Sequence, residues 1–352
     1  MRPCASRPDV ENLFQRSRAL KRAPAPETGT GSGNGHRLRT PDTGSRKPEP
    51  GTGHRIPEPV PDPEPVAVPE PEPEPEPVPV PEPEPDWIEL TTEPVNEIAT
   101  QNTGRIIRDL RADVLAVIEA ESRPALVHFS RQVLPAVGGE PYERIMLIDG
   151  NDERGIDVGV MLRPTCAITA MRSHVDDADE EGLIFSRDCP EYFIETRRGG
   201  RLVVLVNHFK SKGYGTNSDA RRRRQAHAVR RIYARLRKAG HEHIAVVGDL
   251  NDTPDSDALA PLFARTGLRD ISEHPAFRDD GRPGTYANGA KGQKIDYVLL
   301  SPALFAKVKA GGVERRGVWG GERGTLFPHL PEITRAAEAA SDHAAIWAEV
   351  GL

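Results

Sequence analysis

The strongest constraint in this sequence is a tract from Glu58 to Pro85 in which proline occupies nearly every second position, with Glu or Val between. Proline fixes its own φ, lacks an amide N–H and keeps the preceding residue out of the helical region. The tract is therefore predicted to be an extended, acidic polyproline II segment. Two roles stay open for it: a spacer without a binding function, and a docking strip for a proline-recognising or basic partner.

The proline tract separates parts of the chain that differ in composition. Residues 37–86 hold almost no apolar side chain larger than valine, so they cannot bury a core. Residues 23–86 are accordingly predicted to be a disordered Pro/Glu-rich linker or insertion. About 265 residues follow from Trp87 onward, which is enough for one large domain or two small ones. We therefore expect residues 87–352 to contain the folded, functional part of the protein.

Charge and cysteine content exclude some classes of protein. The formal net charge of −6 argues against a protein that coats nucleic acid, although local basic patches remain open. Cys4, Cys166 and Cys189 lie far apart without metal-binding spacing, so no disulfide framework is expected. The sequence has no apolar run of membrane-spanning length, and its beginning lacks the apolar stretch of a signal peptide. These features predict a soluble, cytoplasmic protein.

Apolar runs of strand length and two helix patterns follow Trp87. One helix is expected over residues 102–110, and a second is expected to be capped by Ser218 and to end at Gly240. The core face of the second helix is predicted at Ala226, Val229, Ile232 or Tyr233, and Leu236. Strands are predicted at 112–118, 156–162, 192–196, 202–206, 244–247, 295–300 and 344–350. Many strands with few helices favour an α/β architecture in which sheets supply the core.

Several predicted strands end or begin at polar side chains. These side chains are Glu119, Asn207, His208, Lys210, Lys212, Asp249, Asn251, Asp296, Asp342 and His343. A single Asp or His at a strand end is most often a turn residue. Strand ends that share a sheet, however, meet on one rim, where loops carry functional groups. The sequence therefore predicts one cleft that gathers carboxylates, imidazoles and carboxamides.

The chemistry of this set of side chains favours phosphoryl transfer to water. Oxygen ligands without cysteine suit a hard cation such as Mg²⁺ or Mn²⁺, which leaves positions open for phosphate oxygens. His, Asp and Asn can orient or deprotonate water and stabilise the charge that develops. A Ser-His-Asp hydrolase fits poorly, because no GxSxG is present and Ser341 is adjacent in sequence to Asp342 and His343.

Five segments occur in the order of the motifs of the endonuclease/exonuclease/phosphatase family, the superfamily of DNase I. They are Asp113–Glu119, Asn207–Lys212, Gly248–Asp252, Lys294–Tyr297 and Ser341–His343. The chain from about Glu93 to Leu352 therefore resembles this family. The resemblance implies a four-layer α/β sandwich with two packed mixed β-sheets. It also implies a phosphoesterase site on one edge that depends on Mg²⁺ or Mn²⁺.

The resemblance also implies which residues bind the metal, which histidine is catalytic and which carboxylate orients that histidine. Glu119 corresponds to the metal carboxylate, and Asp342 to a second ligand on the metal side. His343 resembles the histidine that acts on the attacking water or the scissile phosphate. Asp296 corresponds to the carboxylate that orients this imidazole, with a purely structural role as the alternative.

The remaining motif residues resemble those that handle the substrate. Asp249 and Asn251 correspond to the pair that positions the nucleophile and a phosphate oxygen. His208 matches a second histidine that hydrogen-bonds the phosphate, and its alternative is a role outside the reaction. The side chains predicted to bind substrate are Asn207, Lys210 and Lys212.

The family also has a first strand that ends in a residue close to the metal. Val10–Phe14 resembles the segment after that strand, which puts Asp9 at the ligand position and makes residues 1–22 a candidate remnant of the strand. Cys4–Pro8 departs from the pattern, because it contains proline and lacks apolar alternation. On this interpretation the proline tract is an insertion within the domain. A catalytically impaired protein and an erroneous start of the coding sequence stay open.

The substrate is predicted from the basic residues. Residues 197–238 are rich in Lys and Arg, with a run at Arg221–Arg224. The segment is either a track for a nucleic-acid backbone or the solvated face of the second helix. The leading interpretation is a divalent-metal-dependent phosphodiesterase, a nuclease. The alternatives are a phosphomonoesterase or phospholipid or inositol phosphate hydrolase, and an impaired adaptor that binds partners through the Pro/Glu segment.

Overall fold

The computed structural model describes residues 96–213, 217–278 and 280–352. The predictions for the proline tract, for Asp9 and for the first-strand remnant lie outside the described residues. The α-helices are α1 (Glu97–Leu110), α2 (Arg123–His128), α3 (Leu134–Ala136), α4 (Ser218–Lys238), α5 (Ala260–Phe263) and α6 (Pro302–Phe305). A π-helical segment, Phe129–Val133, joins α2 to α3. Single 3-10 turns lie at Ile271–Glu273, Lys291–Gln293 and Ala336–Glu338.

The strands form two layers. The strands are β1 (Val114–Ala120), β2 (Arg144–Leu147), β3 (Asp157–Leu162), β4 (Cys166–Arg172), β5 (Ala178–Asp179), β6 (Gly182–Leu183), β7 (Glu191–Thr196), β8 (Arg201–His208), β9 (Ile244–Asp249), β10 (Arg269–Asp270), β11 (Phe277–Arg278), β12 (Asp296–Leu300), β13 (Val308–Glu314) and β14 (Ala345–Val350). One layer is a six-stranded sheet in the order β10-β12-β9-β8-β7-β4. The other consists of two three-stranded sheets, β1-β3-β2 and β11-β13-β14. All strands predicted from the sequence are present, each shifted by a few residues at most.

Helix α4 covers the outer face of the six-stranded sheet. Its buried side chains pack against those of β8, β9 and β12 in one cluster that includes Val246 and Leu299. The predicted core face is confirmed, and both Ile232 and Tyr233 belong to it. The prediction that Ser218 caps α4 is wrong. Asn217 occupies the N-cap position without a side-chain capping hydrogen bond. Ser218 is the first helical residue, and its hydroxyl donates weakly to the carbonyl of Lys212 at 3.5 Å.

The other layer packs between its own helices and the six-stranded sheet. Helices α1 to α3 cover the outer face of β1-β3-β2. The inner face of that sheet meets the six-stranded sheet, where Val158 and Val160 contact Val204 and Val206. The order is thus helices, sheet, sheet, helices. This confirms the predicted four-layer α/β sandwich, and both layers are mixed because β8 pairs with β9 and β11 with β13 in parallel.

Helix α1 begins five residues before its predicted start. The side chain of Asn96 accepts a hydrogen bond from the amide of Ala99 and so caps the helix. The polar residues of the first turns hid this start in the sequence, although Thr100 and Asn102 among them are buried. Asn102, for example, donates to the carbonyl of Glu338 at 2.8 Å. A tertiary contact therefore determines where α1 begins.

Two smaller sequence inferences can be checked on the fold. Cys166 and Cys189, the two cysteines among the described residues, are buried free thiols. No helix in the described ranges combines the length and the apolar character that a membrane crossing needs.

Candidate active site

Three strands of the six-stranded sheet bring polar side chains to one rim. His208 is the last residue of β8 and Asp249 the last of β9, and these parallel strands pair His208 with Asp249. Strand β12 runs antiparallel to β9, so its first residue, Asp296, lies opposite Asp249. The pairing thus places all three side chains at the same edge. The predicted convergence of strand ends is present for these residues.

His343 comes to this rim from the other layer, directly before β14. Its Nδ1 lies 2.9 Å and 3.1 Å from the two carboxylate oxygens of Asp296. Ligand atoms of Asp249, Asp296 and His343 all lie within 4.8 Å of one another. The ring of Tyr286 packs against the imidazole with 4.9 Å between centroids. The two sheet layers are therefore joined at the rim by a His–Asp pair.

Burial and neighbouring charges set the protonation states of this pair and of Asp249. Burial alone would lower the pKa of His343, but the hydrogen bond and charge of Asp296, with the charges of Asp249 and Asp342, raise it to about 10. Burial and the charge of Asp296 raise the pKa of Asp249 to about 8. Without a cation, the rim therefore holds an imidazolium beside a carboxyl group that stays protonated near neutral pH.

Asp249 and Asn251 are held in a tight turn after β9. The carboxylate of Asp249 accepts from the backbone amide of Asn251 at 2.7 Å and from its side-chain amide at 2.9 Å. The same side-chain amide donates to the carbonyl of Phe209 at 3.1 Å. Gly248 has a φ of 124°, and a Cβ there would collide with the backbone of Asn207. The turn therefore fixes both side chains relative to β8.

His208 lies buried between two carboxylates. Its Nε2 is 3.8 Å from Glu119 Oε1 and 3.7 Å from Asp249 Oδ2, beyond direct hydrogen bonds. Burial first, and then the charges of Arg187 and Arg154, lower the pKa of His208 well below its ordinary value. The imidazole is therefore neutral, and it can donate or accept one hydrogen bond at the rim.

Glu119 and Asp342 lie at the exposed side of the rim. Glu119 sits at an irregularity near the end of β1 with a φ of 61°, and its side chain is 48% exposed. Asp342 is exposed, and its backbone carbonyl accepts from the amide of Ala287. Neither belongs to the cluster of Asp249, Asp296 and His343, although both face it electrostatically.

The side chains predicted to bind substrate are in different environments. Asn207 is buried and donates to the carbonyl of Leu205, while its Oδ1 has no hydrogen-bond partner among the described residues. Lys212 forms an ion pair with Asp252 at 2.5 Å. Lys210 is half-buried, and burial together with nearby Arg187 and Arg154 lowers its pKa. Lys212 is thus engaged by Asp252, whereas Lys210 lies close to the arginines that also act on His208.

Sequence reasoning missed Arg187, which lies buried below the rim. Its Nη2 contacts Asp152 Oδ2 at 3.0 Å, and its Nη1 donates weakly to the carbonyl of Phe209 at 3.5 Å. Phe209 is the residue whose carbonyl also holds Asn251. No periodicity or motif points to Arg187, because it comes from the loop before β7. Only the tertiary structure places it next to the site.

Several arginines of α4 are held by acidic side chains. Arg222 is fully buried and pairs with Asp219 and with Asp252, the latter at 3.0 Å. Arg224 pairs with Asp179, and Arg235 with Glu191. These contacts anchor α4 to the sheet and to the β5–β6 hairpin. They support the interpretation of this segment as a helix face over that of a nucleic-acid track.

The oxygen-rich donor set fits a divalent cation. Carboxylates of Glu119, Asp249, Asp296 and Asp342 surround the rim, and neither of the described cysteines belongs to the cluster. The buried Oδ1 of Asn207 and Nδ1 of His208 have no hydrogen-bond partner among the described residues. Such unpaired buried groups are found where a ligand or water completes a site.

Known proteins share both the sequence pattern and the fold. The model of the Endonuclease/Exonuclease/phosphatase family matches residues 96–343. A mannosyl-6-phosphatase from Bacteroides thetaiotaomicron is 16% identical, with a TM-score of 0.52 over 72% of this chain and 91% of that chain. An endonuclease/exonuclease/phosphatase from Bacteroides vulgatus is 16% identical, with a TM-score of 0.51 over the same shares. No curated protein sequence matches the chain.

At these identities the structural likeness shows the fold alone. The family match, by contrast, spans well over half of the chain and includes every motif of the rim from Glu119 to His343. This protein is a member of the Endonuclease/Exonuclease/phosphatase family, whose enzymes hydrolyse phosphate esters.

Proposed function

We propose that this protein is a divalent-metal-dependent phosphodiesterase that cleaves nucleic acid by attack of water on phosphorus. The observation that carries the proposal is the His343–Asp296 pair at 2.9 Å, with Asp249 beside it on the same rim. A paired imidazole and an adjacent carboxyl group are what general acid–base hydrolysis requires.

Mg²⁺ or Mn²⁺ is the proposed cofactor, with Glu119 and Asp342 as its ligands and Asp249 as a further carboxylate within reach. A bound cation would neutralise charge on the scissile phosphate and lower the pKa of Asp249. The hydrogen bonds from Asn251 keep the carboxylate of Asp249 in one orientation. Asp249 is thus proposed to orient the attacking water and to take its proton.

The two histidines differ in charge in this proposal: His343 is protonated and His208 is neutral. His343 stays protonated because of Asp296, so it can donate to a phosphate oxygen and stabilise its negative charge. His208 is neutral and can hydrogen-bond a second phosphate oxygen without competing for the cation. Asp296 positions the ring of His343 rather than touching the phosphate.

Cations beside His208 favour a diester with neighbouring phosphates. Arg154 and Arg187 both contact Asp152, at 3.0 Å each, and Lys210 is close enough for both to lower its pKa. Arg154, Arg187 and Lys210 thus gather positive charge beside His208, where it would attract the phosphate next to the scissile one.

A phosphomonoesterase is the second candidate. The observation in its favour is that Arg222, Arg224 and Arg235 of α4 are engaged by Asp252, Asp179 and Glu191, so these three arginines do not extend the cationic region along the surface. A small phosphate ester needs only the rim itself.

The two functions are separated by assays of plasmid nicking and of phosphate release from small esters, with Mg²⁺ or Mn²⁺. We expect metal-dependent nicking that His343→Ala reduces by about 10²- to 10⁴-fold. His227→Ala, on the exposed face of α4, is the matched control and should nick like the unchanged protein.

Release of phosphate from small esters without nicking would replace the first function by the second. Inactivity of the pure protein on DNA, RNA and a generic phosphodiester would refute the phosphodiesterase proposal.

A further inference from the structure

Helix α4 carries two polar side chains on its buried face, Arg222 and Gln225. Both are fully buried, although arginine and glutamine are residue types that mostly remain exposed. They are three residues apart, so they lie on the same side of the helix. A buried polar side chain is stable only where hydrogen bonds compensate for its loss of water. The contacts of these two side chains therefore show what this part of α4 holds in place.

Both side chains hydrogen-bond the backbone of Lys210. The amide of Lys210 donates to Gln225 Oε1 at 2.9 Å. Arg222 Nη1 donates to the carbonyl of Lys210, also at 2.9 Å. Lys210 lies beyond the last residue of β8, which is His208. The helix thus holds the chain at the point where it leaves the sheet beside His208.

Arg222 connects this point to the turn after β9. Its Nε donates to Asp252 Oδ2 at 3.0 Å, while its Nη1 bonds Lys210. Asp252 directly follows Asn251, whose side-chain amide donates to the carbonyl of Phe209 at 3.1 Å. One buried guanidinium therefore joins the two loops that carry the polar residues of the rim. Charge-assisted hydrogen bonds of this kind fix the distance and the orientation between their partners.

Other arginines of α4 have no such connection to the site. Arg224 pairs with Asp179 of β5, and Arg235 pairs with Glu191 of β7. Like Arg222, both attach the helix to acidic side chains on other elements. Their partners lie outside the two loops at the rim. Arg222 therefore differs from Arg224 and Arg235 in what it positions, although all three form ion pairs.

We propose that Arg222 and Gln225 are positioning residues for the phosphate ester hydrolysis proposed above, on which this inference rests. Neither side chain is exposed, so neither contacts a substrate. They act by fixing Lys210, and with it the end of β8, against the Asp249–Asn251 turn. A displacement of a reacting or binding group by about 1 Å can lower a rate by about a hundredfold. Loss of these contacts therefore lowers the turnover of a protein that is still folded.

Gln225 offers a sharp test because it uses only one end of its side chain. Its Oε1 accepts from Lys210, whereas its buried Nε2 has no hydrogen-bond partner among the described residues. Gln225→Glu keeps an acceptor oxygen and places a carboxylate one helical turn from the guanidinium of Arg222. Gln225→Met keeps a side chain of similar length but removes the acceptor. The two variants must differ in activity if the contact with Lys210 is what matters.

The experiment measures kcat and KM of full-length variants with Mg²⁺ or Mn²⁺ on a generic phosphodiester and on a small phosphate monoester. Each variant is assayed at a temperature at which circular dichroism shows it to be folded. We expect Gln225→Met and Arg222→Ala to lower kcat by about 10- to 100-fold, with a smaller change in KM. Gln225→Glu should keep a kcat close to that of the unchanged protein. Arg224→Ala, which removes an ion pair of the same helix, is the matched control and should also keep its kcat.

Added guanidinium separates positioning from a general loss of structure. It can take the place of the missing side chain in Arg222→Ala and donate to Lys210 and Asp252, so it should restore part of the kcat. It should not restore the kcat of Gln225→Met. A kcat of Gln225→Met equal to that of the unchanged protein, or an equal fall in Arg224→Ala, would overturn the inference. The comparison of Gln225→Met with Gln225→Glu remains decisive if Arg222→Ala does not fold.

Hydrogen exchange distinguishes failure of this inference from failure of the proposed function. An unchanged protein that is inactive on both substrates would refute the proposed function. The contacts of α4 are still measurable then, because exchange in the peptide of residues 207–212 requires no activity. This peptide should exchange faster in Gln225→Met than in Gln225→Glu or in Arg224→Ala. Equal exchange in these variants would show that Gln225 does not hold Lys210.

Discussion

The two sheet layers of this protein differ in continuity. The six-stranded sheet is unbroken, and it holds His208, Asp249 and Asp296 at fixed register. The other layer is divided among the described residues, and it carries Glu119 and His343 on its two separate halves. The difference shows that backbone pairing fixes the site residues of the six-stranded sheet relative to one another. The distance between Glu119 and His343 depends instead on side-chain contacts across the rim.

The contact between the two layers at the rim is therefore as important for assembling the site as the structure of either layer. Asp296 on the continuous sheet binds His343 on the divided layer. Among the described residues, the backbone of His343 pairs with another segment only through an isolated bridge to Tyr286. Glu119 has no comparable link to the rest of the site, since its nearest site partner is His208 at 3.8 Å. We expect the continuous side to determine stability and the divided side to determine metal affinity.

Truncation of one apolar side chain in each layer tests the stability half of this comparison. Leu299→Ala on β12 should lower the free energy of unfolding by about 2–5 kcal/mol, because Leu299 is fully buried in the largest core cluster. Ile346→Ala on β14 should cost clearly less, since Ile346 is only partly buried at the open edge. Denaturant unfolding of both variants measures the difference. Equal losses would show that the divided layer is as well packed as the continuous one.

Removal of one carboxylate charge from the divided layer tests the expectation that this layer determines metal affinity. Glu119→Gln should raise the Mg²⁺ concentration for half-maximal activity by about tenfold or more, because an amide binds the cation less strongly than a carboxylate. Asp113→Asn at the other end of β1 is the matched control, as that carboxylate is exposed and accepts only from Thr165. Titration calorimetry of Mg²⁺ gives the same comparison without activity. An unchanged Mg²⁺ affinity in Glu119→Gln would exclude Glu119 as a ligand.

The pH dependence of stability tests the pair that joins the layers. Folded His343 keeps its proton up to about pH 10 and unfolded His343 releases it near pH 6.5. Folded Asp249 keeps its proton to about pH 8 rather than 3.8. For each residue, the folded state therefore binds more protons than the unfolded state at pH values between its unfolded and its folded pKa. The stability of the metal-free protein should consequently fall as the pH rises through these two ranges.

The measurement for this prediction is the Tm of chelator-treated protein between about pH 6 and pH 9. Asp296→Asn removes the main group that raises the pKa of His343, so its Tm should depend less on pH in this range. A Tm that rises with pH would contradict the assigned protonation states.

Much of the fold could be predicted because its signals are local. The apolar runs of β8, β9 and β12 are continuous in the sequence, since both faces of these strands are buried. The face of α4 repeats at helical spacing for the same reason. The start of α1 and the cap of α4 were missed or misplaced. In α1, buried polar contacts such as that of Asn102 with Glu338 replace the expected apolar pattern.

The sequence identified most residues of the candidate site, but it did not show which of them lie close together. Motif order identified Asp249, Asp296 and His343 without any distance between them. The buried Arg187 carries no sequence signal, since its role comes from contacts with Asp152 and Phe209 that are far away in the chain. The same holds for the arginines of α4, whose acidic partners lie on other elements.

The sequence by itself determined the family pattern, the strand runs and the residue types of the rim, because these depend on side-chain chemistry and local periodicity. Only the tertiary structure decided that His343 pairs with Asp296 across two layers, that Arg222 is buried beside Asp252, and that β1 and β14 belong to separate sheets among the described residues. The physical reason is that ion pairing, burial and pKa depend on contacts between segments that are distant in the chain, and sequence spacing does not specify those contacts.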